Sequence, residues 1–246
     1  MKSVGIVPSR LAASRFPRKP MAKLHGMPMI GHCYFRTKLA EGLDDVYVAT
    51  CDQEISDYIN SIGGKSILTS NEHSRASTRT AEALELIEKN NNEIIDIVVM
   101  VQGDEPMISP KVITKVLESI KSQNNEISNG MSKFHSKELF ENKNNVKVVV
   151  NKYNEALYFS REAIPSPWKV YQKNLCYNQT GIIAFKRKAL LNFNSMSESE
   201  LEKIESVDMN RILENGGKIL NEGDIIHIDT KQIESDLISQ NKFERI

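Results

Sequence analysis

The chain has 246 residues, 40% of them apolar and 26% charged, and its 32 Lys plus Arg are balanced by 32 Asp plus Glu. Zero net charge gives no general attraction to nucleic acid or to an anionic membrane. No apolar run approaches the length of a membrane span, and three scattered cysteines are too few for a disulfide framework or a Cys-type zinc site. The balance is uneven, however: the first forty residues hold eight cations and no acid, which points to a local anion site near the N-terminus. No signal-peptide pattern opens the chain, so a cytoplasmic protein with reduced thiols is expected.

In chain order, "SVGIVP" reads as a first buried strand, and "PMIGHCYFRTKLA" as a helix with Pro28 near its first turn. "DVYVAT" is a second strand, and "QEISDYINSIGG" a helix stopped by Gly63 and Gly64. "KSILT" is a third strand, followed by the helix "STRTAEALELIEKN" with Ser77 as its N-cap. "IIDIVVMV" is a fourth strand, and "SPKVITKVLESIKSQ" a helix begun by Ser109 and Pro110. Alternating strands and helices predict an α/β fold, a mostly parallel sheet with helices on both faces. After residue 124 the pattern changes. "VKVVV", "ALYFS" and "NQTGIIAFKR" read as strands, "SELEKIESVDMNRILENGG" as one helix, "KIL" and "IIHID" as short strands, and a last helix begins near Thr230. A single domain over residues 1–246, with a strand-rich insertion at about 126–185, accounts for this order.

In an open α/β sheet, ligands bind at the carboxyl ends of the parallel strands. The loop "SRLAASRFPRKP" leaves the first strand there and carries Arg10, Arg15, Arg18 and Lys19 without an acid among them. "QGDEP" leaves the fourth strand at the same edge, and "HIDT" ends the last apolar strand. If that strand lies beside the others, Asp104 and Asp229 converge. Two carboxylates facing several cations suit a metal–triphosphate, because Mg²⁺ takes a few carboxylates plus phosphate oxygens and water, while Arg and Lys neutralise phosphate. Neither G-x-x-x-x-G-K-[ST] nor G-x-G-x-x-G is present, which removes the main support for a kinase-like or dinucleotide-binding reading. Taken alone, Asp104 equally closes a turn with Gly103 and Pro106, Asp229 equally caps the final helix, and His73 and His227 read as loop or edge histidines.

The joint pattern goes further. "PSRLAASRFPRKPMAKLHGMPMI", "VYVATCDQEI", "VVMVQGDEPMISP", "ALYFSREAIP", "LEKIES" and "HIDT" together resemble the ulosonic-acid cytidylyltransferases, most of all the 3-deoxy-manno-octulosonate (Kdo) cytidylyltransferase, or CMP-Kdo synthetase, family of lipopolysaccharide synthesis. The resemblance implies a Rossmann-like nucleotide-diphospho-sugar-transferase fold, Mg²⁺ dependence, a homodimer, and the reaction of CTP with a 2-keto-3-deoxy sugar acid to give the CMP-sugar and pyrophosphate. Arg10, Arg15 and Lys19 match the family's triphosphate-binding cations, with Arg79 and Gln102 also at the nucleotide. Arg18 stands where many members have Gly and receives no role. Asp104 and Asp229 match the metal-binding aspartates. Arg10, Arg15, Lys19 and Asp104 make the catalytic set, and Gln102, Arg161, Gln179 and Glu205 fall on the sugar side. The family's two-fold contact places Val148, Val150, Leu157 and Phe159 at or near a dimer interface.

The chain departs from the family at particular places. "SRASTR" keeps only the final Arg79 of an S-G-T-[DE]-R loop, Gln179 stands where a sugar-facing His is usual, and "ESVDMNR" replaces E-x-L-E-Q-L-R. These changes cluster on the sugar side, so a modified octulosonate such as 8-amino-Kdo, or a nonulosonate, is the alternative substrate. A nucleotide-binding homologue without turnover is the alternative of another class, and retention of both Asp104 and Asp229 argues against it.

Overall fold

In a computed structural model the described residues are 1–12, 16–122, 125–169, 171–172 and 175–223. They fall into two compact units, one built from Met1–Ile113 and the other from Thr114 onward.

The first unit begins with β1 (Ser3–Ser9). A short 3-10 turn (Lys19–Met21) and a small hairpin of β2 (Lys23–Leu24) and β3 (Met27–Pro28) lead into α1 (Met29–Lys38). Then follow β4 (Asp45–Thr50), α2 (Gln53–Ser61), β5 (Ser66–Leu68), α3 (Ala76–Asn91) and β6 (Ile97–Val101). Four of these strands lie in the order β6-β1-β4-β5, and every pairing among them is parallel. All residues of β1 and β6 are buried, which is why both read as continuous apolar runs: helices cover both faces of such a sheet. Because the strands run in the same direction, Arg10, Asp52 and Gln102 all emerge at one edge. The expected α/β order is therefore present, with one correction. Helix α3 starts at Ala76 after Arg75, and Ser77 lies buried inside its first turn instead of capping it. Ala76 is a strong helix former, and the Thr78 hydroxyl donates to the Arg75 carbonyl at 3.1 Å, so the helix extends backward past the serine.

Helix α4 (Pro110–Ser122) spans the boundary between the units. The second unit continues with β7 (Ile127–Lys133), α5 (Lys137–Glu141), β8 (Lys147–Val150), β9 (Ala156–Ser160), β10 (Tyr177–Lys186), α6 (Arg187–Ser195), α7 (Glu200–Glu205), α8 (Met209–Glu214) and β11 (Leu220–Glu222). Its pairings are mixed. Antiparallel contacts join β7 to β10, β10 to β8 and β8 to β9, and β11 runs parallel to β7. Strand β7, "ISNGMSK", escaped the sequence reading because its Ser, Asn and Gly break the apolar alternation, although six of its seven residues are buried. The expected strand "IIHID" and the helix from Thr230 lie outside the described residues. No described helix is long and apolar enough to cross a membrane.

One further correction concerns this unit. The stretch expected as one helix breaks into α7 and α8 at Ser206, which adopts the left-handed conformation with φ 51°. The break folds α8 back so that Arg211 reaches Glu202: Nε and Nη2 each donate at 2.7 Å, to the two carboxylate oxygens respectively. Nη1 donates to the carbonyls of Phe193 and Met196 at 3.2 and 3.1 Å. Val148 and Phe159, expected at a dimer contact, are register partners, and both are fully buried in the single chain. Leu157, expected to share their face, stays 59% exposed because a register shift between Val149 and Val150 leaves it without a partner across the ladder.

The Arg211–Glu202 pair is buried at both ends. Removing one partner strands the other charge in a low-dielectric site. Arg211→Met is therefore expected to cost about 3–5 kcal/mol of unfolding free energy, measured by urea titration. A loss within experimental error of zero would show that the pair is not coupled to folding.

Candidate active site

The basic loop is shaped at its root by backbone contacts. The Leu11 amide donates to the Asp52 carboxylate at 2.7 Å, which ties the exit of β1 to the exit of β4. The Arg18 amide donates to the Leu11 carbonyl at 3.0 Å and closes the loop on itself. Arg18 holds φ 61°, the left-handed region that favours glycine. The Arg18 side chain pairs with Glu54 on α2. The next residue, Lys19, turns the other way, and its ammonium lies 3.3 Å from the Asp104 carboxylate. Lys19 is mostly covered, while the Asp104 side chain is 54% exposed.

Gly103 makes that meeting possible. A Cβ at this position would lie 2.7 Å from the Pro8 carbonyl oxygen, a separation that real side chains do not adopt. "QGDEP" thus leaves β6 in contact with the exit of β1, and Asp104 follows at once. Gln102 is partly buried just before the glycine. Cys33 lies fully buried in the same unit, and burial first, then the charges of Asp104 and Glu105, push its thiol pKa well up, so it stays a neutral packing group.

Arg10 donates from Nη1 to the His73 carbonyl at 3.3 Å. The His73 ring itself bridges Thr78 and Glu82, and Glu82 also accepts from the Ser70 amide at 2.9 Å. These bonds fasten the loop before α3 to the helix that follows it. Arg79 is buried in α3. Its Nη1 donates to Thr69 Oγ1 and to the Ser70 carbonyl, while its Nη2 is buried without a partner among the described residues. Arg15 and Asp229 lie outside the described residues, so the expected convergence of Asp229 with Asp104 does too. Among the described residues no three His, Cys, Asp or Glu side chains cluster as a metal site.

Of the residues expected on the sugar side, Arg161 and Glu205 form a network in the second unit, whereas Gln102 lies in the first. Glu205 accepts from Tyr158 Oη at 2.9 Å, from Ser160 Oγ at 2.6 Å and from the Arg161 amide at 2.8 Å. The Arg161 guanidinium donates to three carbonyls: Glu205 at 2.8 Å, Ser206 at 3.3 Å and Lys143 at 3.2 Å. Two residues expected to face a ligand side by side are thus joined to each other. Gln179 begins a bulge in β10 and donates to Asn129 Oδ1 at 3.2 Å. Lys147, a lysine set in the apolar run of β8, is fully buried. Its ammonium donates to the carbonyls of Asn142, Asn145 and Arg161 at 2.8, 3.0 and 2.6 Å.

A cytidylyltransferase family model matches residues 4–219. The chain belongs to the cytidylyltransferase family. Two relatives, from Thermodesulfovibrio yellowstonii and Parabacteroides distasonis, are 38% and 37% identical over 94% of this chain and 95% of their own, and both bear the name 3-deoxy-manno-octulosonate cytidylyltransferase. A solved CMP:2-keto-3-deoxy-manno-octonic acid synthetase complexed with CTP is 31% identical, covers 99% of this chain and 100% of its own, and superposes with a TM-score of 0.84. The fold and reaction class expected from the motifs are those of this nucleotidyltransferase family.

For this cytidylyltransferase, the motifs missed three anchoring residues. Asp52 shapes the basic loop, His73 fastens the loop before α3, and Lys147 holds a turn in the second unit. The signal for Lys147 was present, since a lone cation inside "VKVVV" must find acceptors if the strand is buried. The signal for His73 was absent, because its partners lie five and nine residues away on a helix face.

The electrostatics of the second network follow from its hydrogen bonds. Burial pushes the Glu205 carboxyl up, but donors from Ser160, the Arg161 amide and Tyr158 outweigh it, and its pKa falls below the ordinary 4.5. Burial, followed by the bond to Glu205, pushes Tyr158 up to about 12. Burial pulls Lys147 down from 10.5 to about 8, which leaves it charged at neutral pH. For Glu205 the folded state holds its proton more weakly than the unfolded state, so stability is present above pH 4.5 and is lost as pH falls through the lower folded value. Glu205→Gln is expected to be less stable than the parent at neutral pH and to lose less of its stability between about pH 5 and 3. Urea unfolding at a series of pH values measures both. Parallel curves for the two proteins would mean the carboxylate is not held in this way.

Proposed function

We propose that this chain transfers the cytidylyl group of CTP to a 2-keto-3-deoxy sugar acid, with 3-deoxy-manno-octulosonate as the first substrate to test. The observation that carries the proposal is the meeting of Lys19 with Asp104 at the carboxyl ends of β1 and β6. The names borne by the relatives support the choice of both substrates. In the reaction, the anomeric hydroxyl oxygen of the sugar bonds to the α-phosphorus while the bond to the bridging oxygen breaks. The electron pair leaves with pyrophosphate, and the hydroxyl proton passes to solvent.

This chemistry asks for positioning and charge neutralisation more than for a side-chain base. Lys19 and Arg10, with Arg15, are assigned to the triphosphate, where negative charge shifts toward the leaving group. Arg79 offers a buried, unused N–H to the nucleotide, and Gln102 is assigned to both the nucleotide and the sugar acid. Arg161 and Gln179 are assigned to the sugar acid. Glu205 is assigned a positioning part, since its oxygens already serve three internal donors.

The donor chemistry at Asp104 fits magnesium, which prefers hard oxygen, keeps much of its water and needs only a carboxylate or two besides phosphate. Asp104 would hold the ion together with Asp229, and magnesium bound there would neutralise triphosphate charge. A homodimer is also proposed, with Leu157 rather than Val148 or Phe159 as the exposed apolar residue available to it. Sedimentation at micromolar concentration should give a dimer, and Leu157→Asp should weaken it without unfolding the chain. A monomer in the wild type would remove this assignment.

The decisive assay measures pyrophosphate release with CTP or UTP crossed with Kdo, 8-amino-Kdo and N-acetylneuraminate. CTP with Kdo is expected to turn over fastest. Pyrophosphate release with 8-amino-Kdo or N-acetylneuraminate alone would reassign the sugar. CTP binding without release from any pair would favour the non-catalytic reading. Lys19→Ala and Asp104→Asn should each lower kcat/KM by about 100-fold or more. Arg18→Gly should keep most of the activity, because it removes a cation already turned toward Glu54 and relieves a left-handed residue. Equal damage at Arg18 and Lys19 would show that the wrong cation has been assigned to CTP.

A further inference from the structure

The second unit contains one fully buried cation whose donors all go to main-chain oxygens. Lys147 Nζ gathers the carbonyls of Asn142, Asn145 and Arg161 within 3.0 Å. Two of these acceptors belong to the turn between α5 and β8, and the third is the backbone of the arginine assigned to the sugar acid. The same turn holds that arginine from the other direction, because Arg161 Nη1 donates to the Lys143 carbonyl at 3.2 Å. The Arg161 main chain is therefore clamped on both sides: its N–H goes to Glu205 at 2.8 Å and its C=O to Lys147 at 2.6 Å.

We propose that Lys147 is a positioning residue for the sugar-acid half of the reaction, fixing the turn at 142–145 and the Arg161 backbone so that the guanidinium is held in one direction. This rests on the function proposed above. Lys147 itself touches neither substrate in this assignment and acts only through Arg161.

The physical reason is the matching of three donors to three acceptors. An ammonium carries three N–H bonds and no acceptor. The carbonyls it serves are half-buried polar groups, and a polar group taken from water without a partner is expensive; the Asn142 carbonyl also accepts from the Asn145 amide at 3.1 Å. Three bonds converging on one nitrogen also fix the turn relative to the end of β9, since any shift of one carbonyl lengthens its bond. A neutral side chain of similar length would fill the space, remove the donor from all three carbonyls, and leave only Asn142 with its bond from the Asn145 amide. Arginine would keep the charge, but its planar fork aims its donors differently.

The test combines a measurement without substrate and one with both substrates at pH 7. In ligand-free protein, hydrogen–deuterium exchange at residues 142–146 and 161–162 should speed up in Lys147→Met relative to wild type, while β7 and β10 keep their protection. In steady-state assays, the KM for the sugar acid should rise about tenfold or more, as expected when only a minor part of the population holds the binding-competent arrangement. The KM for CTP should stay within about twofold, because Lys147 has no contact assigned to the nucleotide. Lys147→Arg should fall between Lys147→Met and the wild type in both measurements.

Unchanged exchange at 142–146, or equal increases in both KM values, would overturn the proposal. So would a lower melting temperature with both KM values unchanged, the mark of a lysine that only stabilises the fold. If Lys147→Met does not fold, Lys147→Arg decides alone by the same split between the two KM values. If the wild type turns over none of the sugar acids, the function proposed above has failed, and an unaltered exchange pattern at 142–146 would still refute the role of Lys147 in setting the turn.

Discussion

A separation of 2.7 Å governs the edge of the parallel sheet where β1 and β6 end. That is the distance from the Pro8 carbonyl to the place where a side chain on Gly103 would begin. Strands β1 and β6 are parallel neighbours, so their exits crowd together at one edge, and each must turn away at once. With glycine at the turn, the backbone after β6 can lie against the backbone after β1. Asp104 then comes within reach of Lys19, although the two are 85 residues apart in sequence. With a larger residue the exits would have to separate, and the charge pairing at this edge would go with them. Tight β-sheet geometry, not the acid or the cation alone, is what converts two scattered motifs into one site.

The same molecule uses charge in two ways, and burial separates them. Arg211 and Glu202 are enclosed, joined by two parallel hydrogen bonds, and completed by the carbonyls of Phe193 and Met196. Such a pair belongs to the fold, since neither charge can leave without stranding the other. Arg18 and Glu54 are exposed, and a pair of that kind contributes at most about 1 kcal/mol. Its value is directional. It draws one cation of the basic loop toward α2 while the neighbouring Lys19 faces Asp104. In the second unit Glu205 plays a comparable part, because its carboxylate gathers Tyr158, Ser160 and the Arg161 backbone into one arrangement.

The parallel half of the fold was legible in the sequence because burial on both faces leaves a plain mark. "VGIVP" and "IVVMV" can hardly be anything except interior strands. The second half was legible only where alternation survived. Polar β7 went unseen, and the residue beside the Val149/Val150 register shift misled, since Leu157 and Phe159 share a period of two in the sequence but not a face in the structure. The helix break at Ser206 was hidden for a related reason: the apolar rhythm continues on both sides of a single left-handed residue. The motif residues could be named from the sequence, but their hydrogen-bond partners could not. That Arg161 and Glu205 bind each other is a matter of hydrogen-bond geometry, and spacing in a sequence carries no record of it. Asp52 acts on a main-chain amide 41 residues earlier, and His73 acts through its ring on Thr78 and Glu82, contacts that leave even less trace.

The turn at 142–145 has an evolutionary consequence. What it supplies to Lys147 and Arg161 is carbonyl oxygen from Asn142, Lys143 and Asn145, and every amino acid brings that same oxygen. Selection for that oxygen falls on the length and path of the turn. Side-chain identity is constrained by a separate set of bonds, because Asn142 Oδ1 accepts from the Asn144 amide and Asn145 Nδ2 donates to the Leu139 carbonyl, each at 2.9 Å.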